Sequence, residues 1–464
     1  MRLIISGGDA NVKEFSAPDG IIRLEAFCLR QEWDSLSECR ARFLTTRDAA
    51  RRLLDTPDGA FSVECEGHDV FAGLVREVSS RRFRTFSDLR TVELRAVPAV
   101  WKLDRVPRYR IFQNERKTLS DLFDLIRQKT PENFTAQYQN GANHSDIPEP
   151  VLQHGETDWA FLRRMARRCG FHVFVSERKA ELTIGEANGK PLQWMDDEKA
   201  ESVRHTHTLT DSGALLERVE LITPASRDAK PLSLGTPVRL RQDDAGKSYC
   251  VAASQLRWEK TRCVFRYALE FASPVRTADT QKTAVDDGVY AILEAEVFDN
   301  ADTGATGKIQ VRFTDSLYED LTPDKKMWIP YCSPYTAKTG GFVFLPDKGD
   351  PVRVFFFRDS LSAGESPRRD ALEEPFRNVD EKRIANVHEK RISFTEKELE
   401  LYANGNTLSM TEDGLALAAG KSEINVTKDG ITLKLNGSQL SLQNGSAQIK
   451  SNQVELSGND IILK

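Results

Sequence analysis

Residues 391–464 read RISFTEKELELYANGNTLSMTEDGLALAAGKSEINVTKDGITLKLNGSQLSLQNGSAQIKSNQVELSGNDIILK. Apolar residues in this stretch come two by two, at i and i+2. The pairs are Ile392/Phe394, Leu399/Leu401, Leu408/Met410, Leu415/Leu417, Ile424/Val426, Ile431/Leu433, Leu440/Leu442, Ala447/Ile449, Val454/Leu456 and Ile461/Leu463. Successive pairs begin 7 or 9 residues apart, close to eight on average. A spacing of two sets both side chains on one face of a strand. Between the pairs stand Asn404-Gly405, Asp413-Gly414, Asp429-Gly430, Asn436-Gly437, Asn444-Gly445 and Gly458-Asn459. These residue types reach left-handed backbone angles at little cost and mark turns. Each unit is therefore one short strand and one turn. It offers two apolar residues, too few for a core, so units must stack on neighbours.

Two arrangements satisfy that need. A single chain coiling as a solenoid normally uses a longer repeat, because one coil visits two or three faces. With about eight residues per strand, three chains can wind together, each supplying one face per layer. Ten layers at ~4.8 Å make a rod of roughly 50 Å. Burying each Leu or Ile contributes about 1.5–3 kcal/mol, a gain an isolated chain lacks. The repeat thus predicts an obligate homotrimer with a rigid β-helix needle over 391–464, its core formed by the paired residues from Ile392 to Leu463, Ala447 aside. A disordered polar tail is the competing reading, and the regularity of the pairs argues against it.

Upstream, residues 361–390 are rich in Ser, Glu, Arg and Asp and poor in apolar residues, which reads as a linker. Before it, Tyr290–Phe298, Lys308–Phe313, Met327–Tyr331, Gly341–Leu345 and Val352–Phe357 are five short strand candidates with Gly, Asp and Pro turns between them. That pattern predicts a small closed barrel over 281–360. Residues 1–280 mix strand and helix signals. Ile21–Leu29, Ala60–Val78 (broken at Gly67 and Gly73) and Thr91–Val97 read as strands. Leu119, Leu122, Phe123 and Ile126 share one helical face, with Thr118 or Ser120 as cap. A second helix starts at the cap Thr157 and carries the stripe Trp159, Leu162, Met165, Ala166 and Cys169. Arg163, Arg164, Arg167 and Arg168 lie off that stripe, as a solvated face or an ion-pair set, and Gly170 stops the helix. The strand Phe171–Val175 follows.

The whole chain of 464 residues suggests about three domains. A net charge of −5 gives no reason to expect nucleic acid as a partner. The seven cysteines are scattered and form no CxxC, which fits a reduced cytosol. The start, MRLIISGGDA, lacks the features of a signal peptide, and no apolar run reaches the ~20 residues of a membrane helix.

Several stretches resemble VgrG, the spike family of type VI secretion, related to hub and needle proteins of contractile phage tails. They are Val92–Pro98, Trp101–Leu103 and Arg110–Gln113; the helix and strand Glu156–Phe174; the barrel signatures Gly307–Phe313, Gly341–Asp350 and Val352–Phe356; and Glu389–Thr395 at the needle's entry. The resemblance spans nearly the whole chain, in the family's order. It implies a mainly β protein with some α: hub domains built of two β-barrel-like subdomains with inserted helices, an OB-fold neck, and an intertwined three-chain β-helix. It implies as partners a hexameric tube protein, baseplate proteins, a PAAR-type tip protein, effectors as cargo, and a target membrane pierced mechanically. It implies assembly in the cytoplasm followed by export through the machine. Two departures mark a divergent branch: Thr314-Asp315-Ser316 lacks the tryptophan often found there, and Pro351 replaces an acidic residue. The proline should push the start of its strand to Val352.

The sequence carries no recognisable catalytic motif, so neither an enzyme nor a cofactor is expected. There is no GxSxG or HExxH motif, and the repeat runs to Lys464 with no hydrolase-sized segment behind it. Gly304-Ala-Thr-Gly307-Lys308 has the wrong spacing for a phosphate loop. His205 and His207 sit at i and i+2, but two ligands make a poor metal site. A glycan-binding or hydrolytic surface fibre would need an aromatic groove, for which Trp328, Tyr331 and Tyr335 are the candidates, with packing their expected use. A phage tail or an extracellular contractile particle remains an alternative home for the spike.

Overall fold

The computed structural model describes residues 2–6, 21–55, 59–83, 86–113, 118–131, 133–147, 151–186, 192–209, 215–228, 230–241, 247–259, 262–271, 289–304, 306–322, 326–334, 336–337, 340–341, 344–358, 360–365, 380–458 and 462. The chain divides into two units, 1–367 and 368–464.

The first unit opens with β1 (Arg2–Ser6), β2 (Ile21–Glu32), β3 (Glu38–Thr46), β4 (Ala60–Cys65), β5 (His68–Phe83) and β6 (Phe86–Pro98). Strand alternation decides what goes inside. In β3, Cys39, Ala41, Phe43 and Thr45 are buried while Arg40 and Arg42 face out. Gly73 does not break its strand, which runs on through β5. A Cβ there would lie 2.2 Å from the Val97 carbonyl oxygen, so glycine permits the close approach of β6. Helix α1 (Arg47–Leu54) was not legible in the hydropathy pattern. Thr46 caps it by accepting from the Ala49 amide, and its Ala49, Ala50 and Leu53 are buried.

An insertion follows: β7 (Pro107–Phe112), α2 (Leu119–Lys129), β8 (Thr135–Tyr138), β9 (Val151–Thr157), α3 (Asp158–Arg168), β10 (His172–Val175) and β11 (Glu181–Gly185). Its core gathers the apolar faces of both helices, including Leu119, Leu122, Phe123, Ile126, Trp159, Leu162 and Met165. Thr118 and Asp121 form a reciprocal capping box at α2, and Thr157 caps α3. The chain then adds β12 (Gln193–Met195), β13 (Ser202–Leu209), β14 (Leu215–Pro224), β15 (Pro237–Leu240), β16 (Tyr249–Glu259) and β17 (Arg262–Phe271). All but the insertion's strands join one twelve-stranded sheet, whose main path runs β1-β4-β5-β6-β3-β2-β16-β17-β14-β13. The antiparallel β2–β16 pair joins the sequence-distant halves.

The barrel region contributes β18 (Val289–Asp299), β19 (Lys308–Phe313), β20 (Glu319–Asp320), β21 (Trp328–Pro330), β22 (Thr336–Ala337), β23 (Gly340–Gly341), β24 (Pro351–Arg358) and β25 (Ser360–Gly364). Five of them form a sheet in the order β21-β19-β18-β24-β25, and a Tyr331–Ala363 bridge links its ends. Its core holds Leu293, Ala295, Val297, Ile309, Val311, Ile329, Val352 and Val354. Strand β24 begins at Pro351 itself, paired with Glu296; a first position tolerates the missing N–H. Phe344 and Leu345, expected in a strand, lie outside one, and Ser360–Gly364, expected in the linker, is a strand of this sheet.

The second unit is a nine-stranded sheet in sequence order: β26 (Lys382–Ala385), β27 (Arg391–Phe394), β28 (Glu398–Ala403), β29 (Asn406–Thr411), β30 (Gly414–Ala419), β31 (Ser422–Thr427), β32 (Gly430–Leu435), β33 (Ser438–Gln443) and β34 (Ser446–Lys450). Every neighbour pair is antiparallel. This explains the 7/9 alternation. Apolar residues occupy positions two and four of β28, β30 and β32 but three and five of β29, β31 and β33. Reversing the strand while keeping the side chains aligned demands that offset. Asn404-Gly405 and Asn436-Gly437 turn with positive φ at both residues, the type I′ geometry that matches strand twist. Gly414 and Gly430 serve another purpose. Their φ values are +149° and +154°, and a Cβ would lie 1.9 and 2.0 Å from the carbonyl oxygens of Val426 and Leu442. Gly430→Ala is expected to cost this unit about 1–3 kcal/mol, measured by denaturant unfolding; an unchanged midpoint would contradict the packing described.

Candidate assembly surface

Strand registry converts the sequence pairs into two continuous columns. One runs Ile392, Leu401, Leu408, Leu417, Ile424, Leu433, Leu440, Ile449, each directly opposite the next. The other runs Phe394, Leu399, Met410, Leu415, Val426, Ile431, Leu442, Ala447. The reverse face carries Ser393, Glu400, Ser409, Ala416, Asn425, Thr432, Ser441 and Gln448 in register, a largely polar column. Val454 and Leu456 follow β34 outside any strand and are exposed; Ile461 and Leu463 lie outside the described residues.

In a single chain these columns stay wet. Leu408, Leu415, Leu417 and Ile424 keep 40–42% of their surface, whereas the hub's Leu29 keeps 1%. The described strands of this unit form one sheet. A sheet with one apolar face needs another layer to bury it. One face of the sheet thus carries two exposed aliphatic columns and the other a largely polar one.

The hub and the barrel are joined by polar chemistry. Strand β20 pairs with β7 in the three-stranded sheet β20-β7-β9. Gln113 donates to Asp320 at 2.7 Å, its amide donates to Thr322 Oγ1 at 2.6 Å, and Ile111 and Leu152 enter the barrel's core. Beneath the joint, Arg110 Nη1 donates to Asp158 Oδ1 at 2.6 Å, both side chains nearly excluded from solvent. Gln153 and Thr130 each donate to Asp158 at 3.0 Å, and Glu319 lies 3.6 Å from Arg110.

The arginines of α3 divide between roles. Arg164 is buried, not on a solvated face. It grips Glu156 with two bonds of 2.8 Å and donates to the Leu152 carbonyl at 2.7 Å. Arg163 donates to the Asp34 carbonyl, and Arg167 pairs with the Asp34 carboxylate at 3.5 Å. Asp34 also binds His172 Nδ1 and the Val173 amide, both at 2.7 Å, while Trp33 stacks on His172. Burial opposes the Asp34 charge, and these partners overcome it and hold its pKa below the ordinary value. Asp34 carried no sequence signal, and Glu156 none beyond its place in the stretch Glu156–Phe174, because a buried carboxylate announces itself only when its partner is known.

Glu177, which accepts from Ser37, behaves oppositely: burial pushes its pKa up to about 7 despite the bonds from Ser37 and Gln31. The folded state therefore binds this proton more tightly than the unfolded chain, and stability falls as pH rises from about 4.5 to about 7. Glu177→Gln is expected to raise the thermal midpoint at pH 8, by an amount equivalent to on the order of 2–3 kcal/mol, with no gain at pH 4.5. An equal gain at both pH values would contradict the assignment.

His205 and His207 lie on the exposed strand β13, opposite Val219 and Glu217. Among the described residues no group of three or more His, Cys, Asp or Glu is placed to hold a metal, and no helix is long and apolar enough to cross a membrane. Trp328 and Tyr331 are partly buried at the barrel, with Tyr331 packed on its core; Tyr335 lies outside the described residues. A cleft of ≈ 660 Å³ over the hub sheet is lined by Arg40, Arg42, Arg95, Glu77 and Glu93, whose charges pair with one another or with Glu38.

Residues 36–227 match the phage tail baseplate hub (GPD) family, and residues 293–365 match the type VI secretion system/phage-baseplate injector OB domain. No curated protein matches the sequence. Among solved structures, the chain is similar to the Escherichia coli c3393 protein, described as a type VI secretion component resembling T4 bacteriophage tail proteins gp27 and gp5. That match has a TM-score of 0.55 at 11% identity and covers 78% of this chain and 99% of that one. The 43 kDa tail protein of prophage MuSo2 from Shewanella oneidensis aligns with a TM-score of 0.44 at 11% identity, covering 58% and 96% of the two chains. A tail protein from Neisseria meningitidis MC58 gives 0.45 at 12%, covering 58% and 95%. A hub domain followed by an injector OB domain, on a mostly β framework, is a VgrG-like arrangement, and in it the chain resembles the hub-and-spike proteins of type VI secretion and contractile phage tails.

Proposed function

We propose that three copies of this chain form the puncturing spike of a contractile injection apparatus. The carrying observation is the pair of exposed aliphatic columns on 391–450, which need a second layer that one chain's single sheet lacks. Three such sheets, turned inward, bury each other's columns and leave the polar column outside. The result is a narrow, stiff rod. On this reading the boundaries are a base over 1–280, an OB neck over 281–360, a linker over 361–390 and a needle over 391–464. The base seats on a hexameric tube protein among baseplate proteins. The needle's end receives a PAAR-type tip protein, with effectors carried along. The apparatus supplies the mechanical work, so the spike contributes rigidity, and its ion pairs and buried networks serve structure instead of catalysis. The chain passes from the cytoplasm to the target when the apparatus fires. Type VI secretion is preferred over a phage tail or an extracellular particle on the likeness to the c3393 protein alone, since the OB-domain family serves type VI secretion and phage baseplates alike.

Electron microscopy of the purified full-length protein tests this reading. Threefold class averages with a slender rod support it. Particles with the mass of one chain and no rod contradict it.

A further inference from the structure

Two sequence-distant thiols meet in the hub core. Cys65 is the last residue of β4, just before the Glu66-Gly67 turn, whose φ values are +50° and +81°. Cys263 is the second residue of β17. The two strands are far apart in the sheet order, yet the thiols hydrogen-bond to each other, and both residues are buried, at 2% and 3% exposure. Independent contacts hold the two ends together. The Ala225 amide donates to the Cys263 carbonyl at 2.9 Å, Arg227 pairs with Glu66 at 3.9 Å, and the Arg227 carbonyl lies 3.1 Å from His68 Nε2. Both cysteines sit at strand ends, where a small backbone adjustment is cheap. Sulfurs already in contact need little movement to reach bonding distance.

We propose that Cys65 and Cys263 are a latent disulfide, reduced in the cytosol and closed by a small peroxide-class oxidant. Cys263, near the start of β17, is the attacking thiol in this sequence of steps. Its thiolate attacks hydrogen peroxide, the O–O bond breaks, and a sulfenic acid and hydroxide form. The Cys65 sulfur then attacks the sulfenic sulfur, the S–O bond breaks, and hydroxide leaves. In sum, two thiols and one peroxide give one disulfide and two waters. The other adjacent pair is not equivalent. Leu29, not Cys28, stands opposite Cys39, so Cys28 and Cys39 point to opposite faces of the sheet. The bond closes a loop of roughly 200 residues and ties the first half of the hub to the second, which restricts the unfolded chain strongly. Its use during delivery rests on the spike reading; its formation does not.

The test treats purified full-length protein with hydrogen peroxide, blocks remaining thiols after denaturation and maps the unreduced digest by mass spectrometry. A peptide pair joining Cys65 to Cys263, absent after dithiothreitol and absent in Cys263→Ser, is expected. So is a thermal midpoint several degrees higher in the oxidised wild type, with no such gain in Cys263→Ser. If that variant does not fold, the wild-type map decides alone. Finding both residues alkylated after exposed Cys332 has been oxidised overturns the proposal, as does a mixture of cysteine pairings. Because the map reads the same in monomer or trimer, its failure is distinguishable from failure of the spike reading.

Discussion

If three copies assemble through the columns, Leu417→Asp combined with Ile424→Asp is expected to leave single chains of 52.3 kDa. The two residues stand opposite each other, mid-column, in β30 and β31. In a trimer the exchange happens three times over, at one level of the rod. Six aliphatic side chains lose burial worth about 1.5–3 kcal/mol each. Six carboxylates then crowd an axis with no counter-charge on the column, and unpaired buried charge is more costly still. No neighbouring layer can compensate on that scale. In the isolated chain the same exchange costs little, because both positions are already about 40% exposed. The control, Asn425→Asp with Thr432→Asp, changes the reverse face across β31 and β32, one layer further on, and should leave the mass unchanged, since surface exchanges stay within about 0.5 kcal/mol. Sedimentation velocity separates the outcomes. A double variant that still sediments as the wild type would mean that the columns do not face one another.

Asp158→Ala is expected to destabilise the hub by about 3–5 kcal/mol. Arg110 is 3% exposed, and its short bond to Asp158 is the centre of a network that also takes in Gln153 and Thr130. Removing the carboxylate leaves a buried guanidinium facing only partial dipoles and the more distant Glu319. The double variant Arg110→Met/Asp158→Leu should recover much of the loss, because a buried pair exchanged for apolar groups of similar volume is often close to neutral. Chemical denaturation followed by tryptophan fluorescence reads both. A single-variant loss under about 1 kcal/mol would show that water reaches Arg110 and that the joint with β20 is less closed than described.

What could be read beforehand divides along physical lines. The short strands and turns of 391–450 were legible because period-two pairing and Asn-Gly turns are local signals. Their antiparallel direction was also written there, in the 7/9 alternation, which averaging to eight conceals. Thr118 and Thr157 announced their helices by capping, and the barrel's strands stood out by alternation. Helix α1 escaped because its apolar face is only Ala49, Ala50 and Leu53 amid arginines. Gly73 was misleading because a strand keeps glycine where another backbone comes close. Arg164 escaped because a buried arginine looks like a surface one until Glu156 and the Leu152 carbonyl are seen around it. The assembly surface itself rests on residues legible from the start; registry added that the pairs align into columns and that in one chain they remain exposed.

The central claim is that these columns become dry only between three copies. Sedimentation equilibrium of the intact chain at micromolar concentration addresses it most directly. A single species at three times 52.3 kDa is predicted. A stable species of one chain's mass, with its C-terminal unit cleaved readily by protease, would contradict it.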